Sequence, residues 1–141
     1  VPFTDALGKG FVLPPDDTRE LVVLATGSGI SAVRPLIEAE VDAGLRRPVH
    51  LLYGVYTLAH LSFPERIAAW TRAGVRVHLV LSEPPEGWTG ATGFVQDAAD
   101  PLGLVRADVT VALCGFPDMV QKARERWTAA GASPEQLLTN F

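Results

Sequence analysis

The chain is poor in cysteine, in lysine and in long apolar runs. Its one cysteine, Cys114, excludes an internal disulfide framework and any multi-cysteine zinc or iron–sulfur site. Lysine occurs only as Lys9 and Lys122, and 12 Lys and Arg face 16 Asp and Glu, for a net charge of −4 and a pI near 5.3. Nucleic-acid binding draws on dense positive charge that displaces counterions from phosphates, so this balance argues against it. No apolar run approaches the ~18 residues that cross a bilayer, and no signal-peptide pattern opens the chain. A lone reduced cysteine fits the cytoplasm or an organelle stroma rather than secretion. The one methionine is Met119 and the chain opens Val1-Pro2, so a fragment, a processed form or an excised domain is expected.

What is present is a folding pattern. At 141 residues, 48% apolar and 20% charged, the chain has the composition of one folded soluble domain with a core of its own. Apolar runs of strand length, rich in Leu and β-branched residues, lie at Leu21–Thr26, Val49–Tyr53, Val75–Leu81 and Val109–Leu113, with a short last run at Leu137–Phe141. Between them, helical spacing marks Ala32–Ala43, Pro64–Ala73, roughly Val95–Asp100, and Pro117–Ala130. Continuous apolar strands alternating with amphipathic helices predict a parallel sheet covered on both faces, an α/β doubly wound domain. Three helices end in Ala-Gly, at Gly44, Gly74 and Gly131, where glycine after the last turn takes the left-handed conformation that satisfies the terminal carbonyls. The proline- and glycine-rich residues 1–20 read as a connector from something upstream, and residues 21–141 as the domain.

A second set of glycines follows strands rather than helices: Gly27, Gly29, Gly54 and Gly115. In an open α/β sheet, ligands bind beyond the carboxyl ends of the strands, and glycine there lets them approach the backbone. Thr26-Gly27-Ser28-Gly29-Ile30-Ser31-Ala32 fits the G-x-G-x-x-G/A form, whose N–H groups and helix N-terminus hold a pyrophosphate. The alternative is a glycine-rich turn in which Ser or Thr caps the helix. A dinucleotide fold of the dehydrogenase type also places an acid at the end of the second strand, about 20 residues on. Here that strand ends Tyr53-Gly54-Val55-Tyr56, without one. The fourth strand runs into Cys114-Gly115-Phe116-Pro117-Asp118-Met119, with Pro117 suited to a first helical turn and Asp118 to the positive end of its dipole. Sequence places no general base beside Cys114, and His50, His60 and His78 read as structural or solvated. After the third strand come Ser82-Glu83-Pro84-Pro85, then Trp88, read as a packing anchor, Gly90, and Gly93-Phe94-Val95-Gln96-Asp97.

Together and in this order, these motifs resemble the pyridine-nucleotide domain of the ferredoxin–NADP reductase family. Gly8-Lys9-Gly10-Phe11, Gly87-Trp88-Thr89-Gly90 and Leu138-Thr139-Asn140-Phe141 are especially similar to the plant fruit-protein-type oxidoreductases and their microbial relatives. The resemblance covers residues from about Leu7 to Phe141. It implies a three-layer domain with a five-stranded parallel sheet that binds NAD(P)H across its carboxyl edge. Thr26 and Gly27 to Ile30 would cradle the pyrophosphate and nicotinamide ribose. Cys114 and Gly115, Phe116, Pro117, Asp118 and Met119 would flank the nicotinamide, while Gly54, Val55, Tyr56, Ser82 and Glu83 would border the adenosine half. Phe141 would shield the flavin face or merely finish a strand.

In such enzymes the hydride passes to FAD on a separate β-barrel domain, whose Arg-x-Tyr-Ser motif does not occur in these 141 residues. The resemblance therefore implies a chain that binds nucleotide but is inactive without its flavin domain, with an electron acceptor that the sequence does not identify. Many NADPH-using members carry Ser-Arg where this chain has Ser82-Glu83. A carboxylate repels a 2′-phosphate and accepts hydrogen bonds from a ribose diol, which favours NADH. Relatives often carry a carboxylate beside the terminal aromatic, and Thr139-Asn140-Phe141 has none. The alternative reading is a non-catalytic nucleotide-sensing or protein-interaction module that retains the fold.

Overall fold

The structure is a computed structural model that describes Leu13 and residues 17–139. Its strands are β1 (Glu20–Thr26), β2 (Val49–Val55), β3 (Arg76–Leu81), β4 (Ala91–Thr92), β5 (Val109–Cys114) and β6 (Leu137–Thr139). Its α-helices are α1 (Gly29–Asp42), α2 (Pro64–Ala73), α3 (Val95–Ala98) and α4 (Pro117–Ala129). All strand pairs are parallel, in the order β4-β3-β2-β1-β5-β6. The sheet thus has six strands among the described residues, not five. The extra one is a two-residue edge strand inside the Pro- and Gly-rich segment after β3, too short to show any periodicity. The expected last strand ends at Thr139 in the structure, while Asn140 and Phe141 lie outside the described residues. Most of the expected connector, residues 1–12 and 14–16, lies outside them too.

β1 is central, and Leu21 through Ala25 are inaccessible to solvent. Strand side chains alternate between faces. Val22 and Leu24 therefore join one apolar cluster with Val111, Leu113, Ala123 and Trp127 of β5 and α4, and with Val95 and Ala98 of α3. Leu21, Val23 and Ala25 join the other, with Ile30, Val33 and Ile37 of α1 and Trp70 of α2. Each fully buried Val or Leu contributes about 1.5–3 kcal/mol, which dominates any local propensity. Gly44, Gly74 and Gly131 all have positive φ, at 83°, 115° and 104°, as the Ala-Gly endings predict.

The amino ends of the strands are held by charge. The Arg47 side chain, 2% exposed, reaches the Arg19 carbonyl at 3.0 Å, the Asp17 carbonyl, and the Asp17 and Glu40 carboxylates at 3.7 and 3.6 Å. Asp17 also accepts from the Thr110 hydroxyl at 2.8 Å and from the Arg19 N–H at 3.0 Å. Glu20 accepts from Arg106 at 2.6 Å and pairs with His50. For both acids burial opposes ionisation. Hydrogen bonds outweigh it, from the Arg19 N–H and Thr110 to Asp17 and from Arg106 and His50 to Glu20, and hold both carboxyls below their ordinary values. With that edge tied down, the open end of the sheet is the carboxyl one.

Candidate functional site

The carboxyl ends of β1, β2 and β3, with the turns after β4 and β5, surround a cleft of about 500 Å³. Its base is stitched by backbone. The Phe116 N–H donates to Thr26 Oγ1 at 2.9 Å, and the Gly27 N–H to the Gly54 carbonyl at 3.2 Å. Two glycines make this approach feasible. Gly115 has φ +146°, and a Cβ there would sit 2.9 Å from the Thr26 nitrogen; a Cβ at Gly29 would sit 2.6 Å from the Cys114 carbonyl carbon. The start of α1 is thereby pressed against the end of β5. Ser28 is the N-cap residue, but its side chain makes no capping hydrogen bond. The Ser31 N–H instead donates to the Ser28 backbone carbonyl at 3.1 Å, and Thr26, Gly27 and Ser28 line the cleft as the chain turns into α1.

One wall comes from the loops after β2 and β3. The Ser82 N–H donates to the Val55 carbonyl at 3.1 Å and the Glu83 N–H to the Tyr56 carbonyl at 2.9 Å, which joins the two loops. Tyr56, Ser82, His60 and Ser62 line this wall. The His60 ring is set by a 2.9 Å hydrogen bond between Nδ1 and Thr57 Oγ1 and stands edge-on to Tyr56 at 5.8 Å. Trp88 is the packing anchor expected of it: its indole N–H donates to the Ala91 carbonyl at 2.9 Å and its ring lies on the core. The opposite wall is Gly93, Phe94, Val95 and Gln96 from the start of α3, with Phe116, Asp118, Met119 and Lys122 from the start of α4. Phe94 and Phe116 are 64% and 55% exposed. Lys122 is the only Lys or Arg lining the cleft among the described residues, and it sits 3.3 Å from Asp118.

Of the sequence-predicted site residues, the structure brings Thr26, Gly27, Ser28, Gly54, Val55, Tyr56, Ser82, Phe116, Asp118 and Met119 into this lining. Gly29 and Ile30 lie beneath it, Ile30 fully buried in the core. Cys114 and Gly115 are half-buried behind the Thr26–Phe116 bond, while Glu83 and Pro117 are exposed outside the lining. Phe141 lies outside the described residues. Sequence reading did not include His60, Ser62, Val80, Gly93, Phe94, Val95, Gln96 and Lys122 among the site residues, and all of them line the cleft. The quoted Gly93-to-Asp97 run was the available signal for Gly93, Phe94, Val95 and Gln96, whereas His60, Ser62 and Lys122 carry none that periodicity could show.

A glycine-rich strand-to-helix turn lining a cleft at the carboxyl edge of a parallel sheet is the geometry of a dinucleotide site. The family model described as the oxidoreductase NAD-binding domain matches residues 23–125. The chain belongs to the oxidoreductase NAD-binding domain family. This bears out the resemblance carried by the motifs. The NAD-binding domain is 39% identical, over 98% of its length, to fruit protein pKIWI502 of Actinidia deliciosa. It is 34% identical, over 86% of its length, to NADH-cytochrome b5 reductase 1 of Pyricularia oryzae. It spans only 45% and 41% of those two proteins. Among solved structures, the Amycolatopsis cytochrome P450 reductase GcoB superposes with a TM-score of 0.79 at 27% identity, over 91% of this chain and 40% of that one. The Neisseria gonorrhoeae ferredoxin NADP+ reductase with bound FAD and NADP shares the fold, with a TM-score of 0.74 at 22% identity over 92% of this chain and 59% of that one. Among the described residues, no helix of the NAD-binding domain is long and apolar enough to cross a membrane.

Proposed function

We propose that this chain is the nucleotide-binding half of a flavin-dependent oxidoreductase, holding NAD(P)H so that its hydride passes to FAD on a companion domain. The observation that carries this reading is the Thr26-Gly27-Ser28 turn, which lines the cleft and leads into α1 where Gly29 is pressed against the end of β5. There Thr26 and Gly27 to Ile30 hold the pyrophosphate and nicotinamide ribose, in part through backbone N–H groups that the Ser28 side chain does not use. Cys114 and Gly115 to Met119 flank the nicotinamide, with Phe141 toward the flavin. Gly54 to Tyr56 and Ser82-Glu83 border the adenosine. The protein's part is orientation and exclusion of water, and the cofactors carry the redox chemistry.

Glu83 supports a preference for NADH. Its backbone is tied to Tyr56 at the cleft wall, so an exposed carboxylate stands beside the adenosine end, where it disfavours a 2′-phosphate and suits a diol. Residues 1–20 serve as the connector to the flavin domain, residues 21–141 form a three-layer unit about the sheet, and the unit alone does not turn over.

Calorimetric titration with NADH and NADPH, followed by a diaphorase assay with the flavin domain supplied, tests the reading. Micromolar NADH binding, weaker NADPH binding and activity only in the reconstituted pair are expected. Absence of binding at millimolar nucleotide would overturn it. Binding without activity in the pair would instead identify the non-catalytic module.

A further inference from the structure

Asp118 and Lys122 are the only Asp, Glu, Lys or Arg lining the cleft among the described residues. They sit one turn apart on α4, with Lys122 Nζ 3.3 Å from the Asp118 carboxylate, and both side chains are more than half exposed. Such a pair adds little to the stability of the fold. Met119 lies between them and lines the cleft too, so this is the face that the start of α4 turns to a ligand. The same helix start lies against the glycine-rich turn. A Cβ on Gly27 would stand 3.4 Å from Phe116 Cζ. That turn has fewer free donors than its glycines suggest, because several of its N–H groups are already committed. The Gly27 N–H goes to the Gly54 carbonyl at 3.2 Å, the Ser31 N–H to the Ser28 carbonyl at 3.1 Å and the Phe116 N–H to Thr26 Oγ1 at 2.9 Å. A diphosphate arriving here is a dianion that needs more than the remaining backbone donors, and Lys122 is the one fixed positive charge on the lining.

We propose that Lys122 is the side-chain counter-ion of the dinucleotide's diphosphate and that Asp118 is its resident competitor, displaced when the ligand binds. This rests on the nucleotide-binding reading above. An ammonium on a flexible stem acts as a point charge and needs no fixed fork geometry to meet phosphate oxygens. In the free protein Asp118 holds Lys122. In the complex the diphosphate takes it over, and the Asp118 carboxylate, 83% exposed, turns to water at little cost. The competition keeps affinity below what Lys122 alone would give, which eases release of the nucleotide. Because the diphosphate is common to both dinucleotides, Lys122 serves NADH and NADPH alike and is separate from the discrimination assigned to Glu83.

The test is a calorimetric titration of the full chain with NADH and NADPH, for the wild type, Lys122→Ala, Lys122→Arg, Asp118→Asn and the Asp118→Asn, Lys122→Ala double variant. Both positions are exposed, so the variants are expected to fold. Lys122→Ala should weaken both dinucleotides by about tenfold and to the same extent, and Lys122→Arg should recover most of that loss. Asp118→Asn should tighten both by about two- to threefold, a gain that vanishes when Lys122 is also alanine. Unchanged NADH affinity in Lys122→Ala would overturn the assignment while leaving nucleotide binding intact. A loss confined to NADPH would put Lys122 at the 2′-phosphate and overturn it too. Equal gains from Asp118→Asn with and without Lys122 would overturn the competition, since a carboxylate that merely repels phosphate does not need the lysine. Failure of the wild type to bind either dinucleotide would overturn both readings.

Discussion

Thr26 ends the central strand and also supplies the acceptor that holds the turn after β5, through its 2.9 Å bond from the Phe116 N–H. Thr26→Val keeps the shape and strands that N–H, so a loss of about 1–3 kcal/mol of stability is expected by urea denaturation, with Thr26→Ser close to wild type. Gly29→Ala forces a methyl group into the Cys114 carbonyl. It should cost about 1–3 kcal/mol and weaken NADH binding, because the start of α1 has to move. Glu83→Arg, on the exposed side of the wall, should raise the NADPH-to-NADH affinity ratio by about tenfold with little change in stability. The glycines of this site were legible in the sequence because each is demanded by its own turn or by backbone contact at a strand end. Gln96, His60 and Lys122 were not, since the meaning of each depends on which loops fold across the same space. His60 lies in a polar loop whose only visible property was solvation.

Among the elements, α3 shows how little of a short helix its sequence controls. Four residues cannot form a stable helix alone. This one is fixed by Arg126 of α4, which binds the Gln96 carbonyl, Asp97 and Asp100. Arg126→Ala should lower stability by about 1 kcal/mol, since the pairs are partly solvated, and should weaken NADH binding through the displaced wall. Periodicity placed α2 at its observed bounds because proline opens it and Ala-Gly closes it. It placed α1 three residues late, at Ala32 rather than Gly29, because a glycine-rich start has poor helix propensity and only the contact with β5 commits it. The β4 pairing was invisible for the same reason: it is set by its neighbour, with Val80 and Leu81 opposite Ala91 and Thr92.

Across the whole molecule, charge is divided between the two ends of the sheet. The amino edge is locked by Asp17, Arg47 and Glu40 and by Glu20, His50 and Arg106. Among the described residues that line the cleft at the carboxyl edge, Asp118 and Lys122 form an exposed ion pair that a ligand can open at little cost. Because Asp17 and Glu20 are held below their ordinary values of 3.8 and 4.5, their contribution to stability is fully present above those values. It is lost as pH falls through the lower folded-state values. Acid unfolding should therefore set in below about pH 4, and Glu20→Gln should reduce stability at pH 7 and flatten the acid limb, while leaving NADH affinity at neutral pH within about twofold.

A dinucleotide received at the carboxyl edge would lie over the turn that leads into α1. The most direct test is an amide chemical-shift titration of the isotopically labelled chain with NAD+. Saturable shifts are expected at Gly27, Ser28 and Phe116, with the amino-edge residues Glu20 and His50 unmoved. Saturable shifts confined to any other surface, or none at millimolar nucleotide, would contradict this placement.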